Sequence, residues 1–253
     1  MELIDRISSI LFLRKCPACK RIISGDEYIC QDCFLNYKKQ GQMPCKYCGM
    51  PATMCSCRVR YDEGVDAIFF AAPYDSKKNT VSKRLVLCLK SKNLRQNYDF
   101  IAKEMQNADG VKEMLEAFQS GGEPLIVTYV PRDPDTVLDR GFDQSKELAK
   151  RFAKKTGLPF ATLIKHRRGG RKQKELDGKT RFENAKIVYQ PGNDSEKCEN
   201  NNIILIDDVI TTGATASACA ISLKSLGAKS VVIIAFAKNE SLSESYPLKK
   251  DMQ

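Results

Sequence analysis

Apolar and polar positions fall in blocks along the chain, and the blocks read alternately as strands and helices. The run Ile203-Ile204-Leu205-Ile206 is short and rich in β-branched residues, which predicts a strand buried on both faces, as in a parallel sheet covered by helices. Ala67 to Ala72, Leu125 to Val130 and Ser230 to Ala237 read as its companions, with Lys186 to Tyr189 as a further strand. Between them the apolar spacing changes from two to three and four. It predicts a helix over Val81 to Lys90, with Leu85 and Leu89 four apart, and one longer helix from Tyr98 to Gln119 built on Ile101, Met105, Met114 and Phe118. The stretch Arg140-Gly141-Phe142-Asp143-Gln144-Ser145 opens a helix to Lys155, with Leu148 and Phe152 inward; Ala216 to Leu226 forms another, ended by Gly227. Strands alternating with helices predict a parallel, doubly wound α/β sheet.

Directly after Ile206 the polarity flips. Asp207 and Asp208 stand where the strand should emerge, followed by the turn Val209-Ile210-Thr211-Thr212-Gly213-Ala214-Thr215. A strand, a tight turn and a helix in that order aim backbone N–H groups and the positive end of the helix dipole at one point, which makes an anion site. Thr211, Thr212 and Thr215 add hydroxyls, and Gly213 lets the backbone come close to a phosphate. Two carboxylates beside a phosphate would repel it, but they suit the hydroxyls of a sugar. A ribose 5-phosphate meets both requirements. An ordinary strand-turn-helix with a solvated acidic pair explains neither the acids nor the threonines. Arg132, in the turn Pro131-Arg132-Asp133-Pro134 at the carboxyl end of its strand, and Arg140 are placed to meet an anion.

Eleven cysteines and one histidine change the picture at the amino terminus, because eight of the cysteines precede residue 58. Cys16-x2-Cys19 and Cys30-x2-Cys33 form one pair of knuckles; Cys45-x2-Cys48 and Cys55-x-Cys57 form another. Two pairs of close thiolates supply the four soft ligands of a tetrahedral structural Zn²⁺. The spacing leaves open whether one or two ions bind and whether the knuckles pair in tandem or interleave. Residues 1–60 are expected to be a cysteine-rich zinc-ribbon module, 61–240 the α/β domain and 241–253 a flexible tail. Cys88, Cys198 and Cys219 stand alone and read as packed thiols.

Met1 to Lys15 carries Leu3, Ile4, Ile7, Ile10 and Leu11 at helical spacing among charges. It is too short and too charged to cross a bilayer and has no signal-peptide cleavage site, so a cytoplasmic protein is expected, with this segment docked on it or resting at the inner face of the membrane. The net charge of +10, from 41 Lys+Arg against 31 Asp+Glu, favours polyanionic partners. The knuckle region interleaves Arg14, Lys15, Lys20, Arg21, Lys38, Lys39, Lys46, Arg58 and Arg60 with Tyr28, Phe34, Tyr37 and Tyr47. That mixture suits single-stranded DNA, whose bases stack while its phosphates are neutralised; a solvated surface around a small core explains it equally well. Lys165 to Arg181 holds eight Lys/Arg against two acids and is expected to be a mobile loop able to close over a polyphosphate, with His166 in it.

The stretch Ile204 to Thr215 resembles the phosphoribosyl-pyrophosphate (PRPP) signature of type I phosphoribosyltransferases. The cysteine knuckles, the Val-Pro turn, Arg140-Gly141-Phe142-Asp143-Gln144 and later Gln173, Leu176, Arg181 and Asn184 are similar to the ComF family of phosphoribosyltransferase-like competence proteins. Asp143 stands where that family usually has Asn, and the histidine often found after the Val-Pro turn is missing. The resemblance implies a sheet of the type I phosphoribosyltransferase kind and PRPP bound with Mg²⁺. Asp207 and Asp208 would serve the ribose; Thr211, Thr212, Gly213, Ala214 and Thr215, with Arg132, Arg140, Gln144 and Arg181, would serve the phosphates. It further implies work with single-stranded DNA in natural transformation, alongside DNA-uptake or helicase proteins. Transferase activity and a non-catalytic PRPP-sensing adaptor are both open at this point.

Overall fold

The structure is a computed structural model describing residues 14–45, 48–55, 64–168 and 188–239. Four strands, β1 (Ala67–Tyr74), β2 (Leu125–Tyr129), β5 (Asn202–Ile210) and β6 (Ser230–Asn239), form one sheet in the order β1-β6-β5-β2, every neighbouring pair parallel. Phe160 adds a parallel bridge to Val127 at the free edge of β2. Alternate residues of the central strands feed two separate cores. Ile204 and Ile206 with Val232 and Ile234 face one side; Ile203 and Leu205 with Val231 and Ile233 face the other. Helices on both faces are what such doubly apolar strands require, as the sequence led one to expect.

On the first face lie α1 (Gln31–Gln42), α2 (Val81–Ser91), α3 (Arg95–Gln106), α4 (Val111–Ser120) and α6 (Gln144–Thr156). On the second, α7 (Ala214–Ser225) turns Ala216, Cys219, Ala220 and Leu223 inward at spacings of three and four. It is joined there by a small antiparallel ribbon of β3 (Ile164–His166) and β4 (Tyr189–Pro191). His166, expected in a loop, is therefore on a strand, its ring edge-on to Tyr189. The remainder of the expected loop, 169–187, lies outside the described residues, as do 1–13, 46–47, 56–63 and 240–253.

The expected single helix over Tyr98 to Gln119 is two. The chain turns at Asn107–Gly110, where Gly110 has φ +79° and a Cβ would come within 2.7 Å of the Phe69 ring. A left-handed glycine pressed against β1 is incompatible with continuing the helix. A short helix, α5 (Pro134–Arg140), also replaces part of the expected turn. Its signal was Asp133-Pro134: the aspartate side chain accepts from the Asp135 N–H, and proline occupies the first turn.

The knuckle region shares the first core. Cys16, Ile23, Ile29, Cys33 and Tyr37 are buried with Leu85, Phe100 and Ile234, and the Tyr37 hydroxyl donates to the Ala71 carbonyl of β1 at 2.9 Å.

Candidate functional site

The site sits at the carboxyl ends of β1 and β5. Strand β5 does not stop before the acids but carries both of them and ends at Ile210. Gly213, at φ +84°, then turns the chain into α7, whose first turn contributes Thr215 and Ala216 to the same space. Asp207, Asp208, Thr211, Gly213 and Thr215 line one pocket of about 190 Å³, room for on the order of ten waters. Arg132 joins them from the turn after β2. Two further residues were not anticipated: Lys90, the last cation of α2, and Tyr74, the last residue of β1. Tyr74 was open to the rule that ligands gather at strand carboxyl ends. Lys90 gave no signal, since its place depends on how α2 packs.

The remaining expected residues are placed differently. The Thr212 hydroxyl accepts from the Ala214 N–H at 3.3 Å, and neither residue is in the pocket lining. Arg140 is exposed and outside the lining; it donates to Gln144, which is buried. Arg181, with Gln173, Leu176 and Asn184, lies outside the described residues. Asp143 caps α6, accepting from the Ser145 and Lys146 N–H groups at 3.0 and 3.1 Å, and its other oxygen accepts from the Arg132 N–H at 3.2 Å. A carboxylate there fixes the turn from which Arg132 reaches inward.

Arg132 holds the acidic pair. Its guanidinium donates to Asp207 at 2.6 Å and also to Asp208, and its Nε donates to Ser145 at 3.1 Å. Lys90 Nζ stands 3.6 Å from the second oxygen of Asp208, and that oxygen is buried without a hydrogen-bond partner among the described residues. Burial raises both carboxyls. At Asp208 the Arg132 and Lys90 charges outweigh it and hold the group at about 2. At Asp207 burial dominates, Arg132 offsets it only in part, and the Asp208 charge adds to it, leaving the group at about 7. Burial would lower the Arg132 guanidinium, but Asp208 and Asp207 raise it. The pair therefore holds one proton in weak acid, on the Asp207 side.

The two carboxyls make stability depend on pH in opposite directions. Between the ordinary aspartate range and about pH 7, folded Asp207 binds a proton that the unfolded chain releases, so its contribution weakens as pH rises across that window. Asp208 works oppositely: its contribution is present above pH 4 and is lost as pH falls toward 2. Asp207→Asn should remove the decline between pH 4 and 7, measured as the urea midpoint against pH; an unchanged slope would mean that Asp207 is ionised throughout.

The second candidate centre is the cysteine region. Cys16, Cys19, Cys30 and Cys33 bring their sulfurs within 4.8 Å of one another, and so do Cys45, Cys48 and Cys55. Cys57 lies outside the described residues. Tandem pairing is thus what the fold adopts. The Cys19–Cys30 and Cys48–Cys55 sulfur pairs are 3.5 and 3.6 Å apart, close to the roughly 3.8 Å edge of a tetrahedron with Zn–S bonds of about 2.3 Å. The two knuckles repeat one backbone pattern. Lys20 N–H donates to the Cys16 carbonyl as Gly49 N–H does to that of Cys45, each at 2.9 Å, and Cys16 N–H pairs with Arg21 as Cys45 N–H does with Met50. Lys20 and Gly49 share a left-handed conformation, φ +68° and +72°. Burial opposes ionisation of Cys19, yet the Arg21 N–H and the neighbouring thiols bring it down to about 7. Both clusters could hold zinc. The three cysteines expected to be packed thiols, Cys88, Cys198 and Cys219, are buried and belong to neither cluster. No described helix is long and apolar enough to cross a membrane.

Comparison with known proteins adds the following. Residues 136–253 match the phosphoribosyl transferase domain family. The chain is 24% identical over 208 residues to competence protein ComFC of Bacillus subtilis (strain 168), covering 77% of each chain. Among solved structures it is similar to the glutamine PRPP amidotransferase from B. subtilis complexed with ADP and GMP (16% identity, 54% of this chain, TM-score 0.36). This chain spans only 25% of that enzyme's length. It is also similar to a hypoxanthine phosphoribosyl transferase of Trypanosoma cruzi (11% identity, 61% of this chain and 70% of that one, TM-score 0.38).

Proposed function

We propose, on the match of residues 136–253 to the phosphoribosyl transferase domain family and the similarity to competence protein ComFC, that the pocket binds the ribose 5-phosphate part of PRPP. The observation that carries this reading is the orphaned oxygen of Asp208, a buried acceptor without a hydrogen-bond partner among the described residues, on a residue that lines the same pocket as Thr211, Gly213 and Thr215. A ribose hydroxyl would satisfy it, and the phosphate would take the hydroxyls of Thr211 and Thr215 and the backbone N–H groups at the start of α7. Mg²⁺ would arrive with PRPP and neutralise its pyrophosphate. If transfer occurs, the acidic pair stabilises positive charge developing at C1 of the ribose. Arg132 sets the charge of that pair, while Lys90 is the lining cation available to an anionic leaving group, with Arg140 and Arg181 contributing from outside the lining.

The test separates the two ends of the ligand. Asp208→Ala should weaken ribose 5-phosphate and PRPP binding together by roughly tenfold to a hundredfold, the equivalent of about 1.5–3 kcal/mol for a hydrogen bond to a charged group. Inorganic phosphate should bind that variant as well or better, a nearby negative charge having gone. Thr215→Val should weaken all three ligands. Calorimetry in which both variants lose phosphate and ribose phosphate equally would end this division of labour.

Natural transformation is the setting we propose, with the protein cytoplasmic and working on single-stranded DNA beside the uptake or helicase proteins. Support comes from the net charge of +10 and from exposed Phe34, beside which Lys38 lies 5.5 Å from the ring centroid. Single strands should bind better than duplex, with affinity falling steeply as salt rises, because phosphate contacts release counterions. Anisotropy titrations giving equal affinities for both forms, or no salt dependence, would remove this setting. Pyrophosphate release from labelled PRPP that depends on an added acceptor would make the protein a transferase; binding without release would make it a sensor.

A further inference from the structure

Lys238 lies where a charge is least expected, near the carboxyl end of a central strand and only 3% exposed. Its Nζ donates to the backbone carbonyl of Cys55 and stands 5.1 Å from the centroid of the Phe70 ring. Cys55 belongs to the second cysteine cluster. A strand of the sheet is thereby bonded directly to a candidate metal centre far away in the sequence. Within the sheet, Lys238 is flanked by Pro73 of β1 and Ile210 of β5. Ile210 lines the ribose phosphate pocket, and so does Tyr74, the residue after Pro73.

A buried ammonium needs an acceptor, and here the acceptor is a carbonyl whose position depends on a knuckle. The Cys55 N–H donates to the Pro51 carbonyl at 3.1 Å, and Pro51 bridges back to Pro44 beside Cys45. A metal ion on the sulfurs of Cys45, Cys48 and Cys55 would lock that turn and hold the Cys55 carbonyl over Lys238. Loss of the ion frees the turn. Lys238 must then follow the carbonyl or find another acceptor, and either movement disturbs the strand ends on both sides of it, which are walls of the pocket.

We propose that Lys238 is a positioning residue that couples metal occupancy of the second cysteine cluster to the affinity of the pocket for ribose phosphate. The proposal rests on the reading of the pocket given above. Coupling of this kind is reciprocal: metal strengthens ligand binding, and ligand strengthens metal binding by the same factor.

The experiment uses the full chain loaded with zinc. Ribose 5-phosphate is titrated calorimetrically into wild type, Cys48→Ser, Lys238→Met and the double variant, with zinc content measured for each. Cys48→Ser should lose the second zinc, keep the first and bind ribose 5-phosphate about tenfold more weakly. Lys238→Met should bind weakly while keeping both zinc ions, and Cys48→Ser added to it should cost nothing more. A second measurement needs no variant: in wild type, zinc release to a chelator should slow for one of the two ions when ribose 5-phosphate is present. Equal ligand affinity in wild type and Cys48→Ser would overturn the coupling while leaving the pocket reading intact, as would zinc release indifferent to ligand. Additive losses in the double variant would overturn the role of Lys238. Failure of zinc-loaded wild type to bind ribose 5-phosphate would overturn the pocket reading, and the coupling with it.

Discussion

Cys16→Ser should leave the protein one zinc ion short and unable to keep its amino-terminal region folded. Cys16 is fully buried and its sulfur is one of four within 4.8 Å of one another. Three thiolates bind zinc far less well than four, and the free energy at stake for a structural site is on the order of 10 kcal/mol. A whole domain has a net stability of only about 5–15 kcal/mol, so the loss is comparable to the total. Nor should the damage stay local. Cys16, Ile29, Cys33 and Tyr37 share one core with Leu85, Phe100 and Ile234, and Tyr37 stacks on Phe236 of β6 at 6.1 Å between centroids. Calorimetry should therefore show the transition of the entire chain lowered, together with metal analysis one equivalent below wild type. Cys88→Ser is the control, since that buried thiol belongs to neither cluster and its variant should retain all zinc. Reduced, unchelated wild-type protein free of zinc would refute the metal assignment.

Replacing Arg132 by methionine should produce the next largest effect. The side chains of Asp207 and Asp208 are only 5% and 2% exposed, and both accept from the Arg132 guanidinium. Removing one partner of a buried ion pair typically costs about 3–5 kcal/mol, because the other partner is left charged and uncompensated. Lys90, 3.6 Å from Asp208 and outside hydrogen-bond range, offsets part of this. The cost has a pH signature. In wild type Asp207 is protonated in weak acid, so at pH 5 Arg132 compensates chiefly Asp208, whereas at pH 8 it compensates two charges. The deficit of Arg132→Met should accordingly be greater at pH 8 than at pH 5 in urea unfolding. A deficit below about 1 kcal/mol, or one independent of pH, would show that the pair does not depend on this arginine.

Much of this molecule was legible along the chain, and for a common reason. Ile203 to Ile206 announces a strand with two buried faces because four large apolar side chains in a row can be hidden no other way. The acids and threonines that follow announce a candidate anion site at the end of β5, because backbone donors at a helix start are a local property. Cysteine spacing announces thiol clusters able to hold a metal, because two thiolates three residues apart already fit one ion. Each inference needs only residues a few positions apart. Elsewhere the outcome depended on partners that no local pattern specifies. Tandem pairing of the knuckles, the descent of Lys90 from α2 into the pocket, and the split at Gly110 against Phe69 were set by the packing of elements distant in sequence. Arg132 and Arg140 looked alike as anion-binding arginines, yet the first is held on Asp207 and Asp208 across 75 and 76 residues while the second lies at the surface beside Gln144. A charge takes the partner that burial makes indispensable, and burial is decided only when strands, helices and knuckles close on one another.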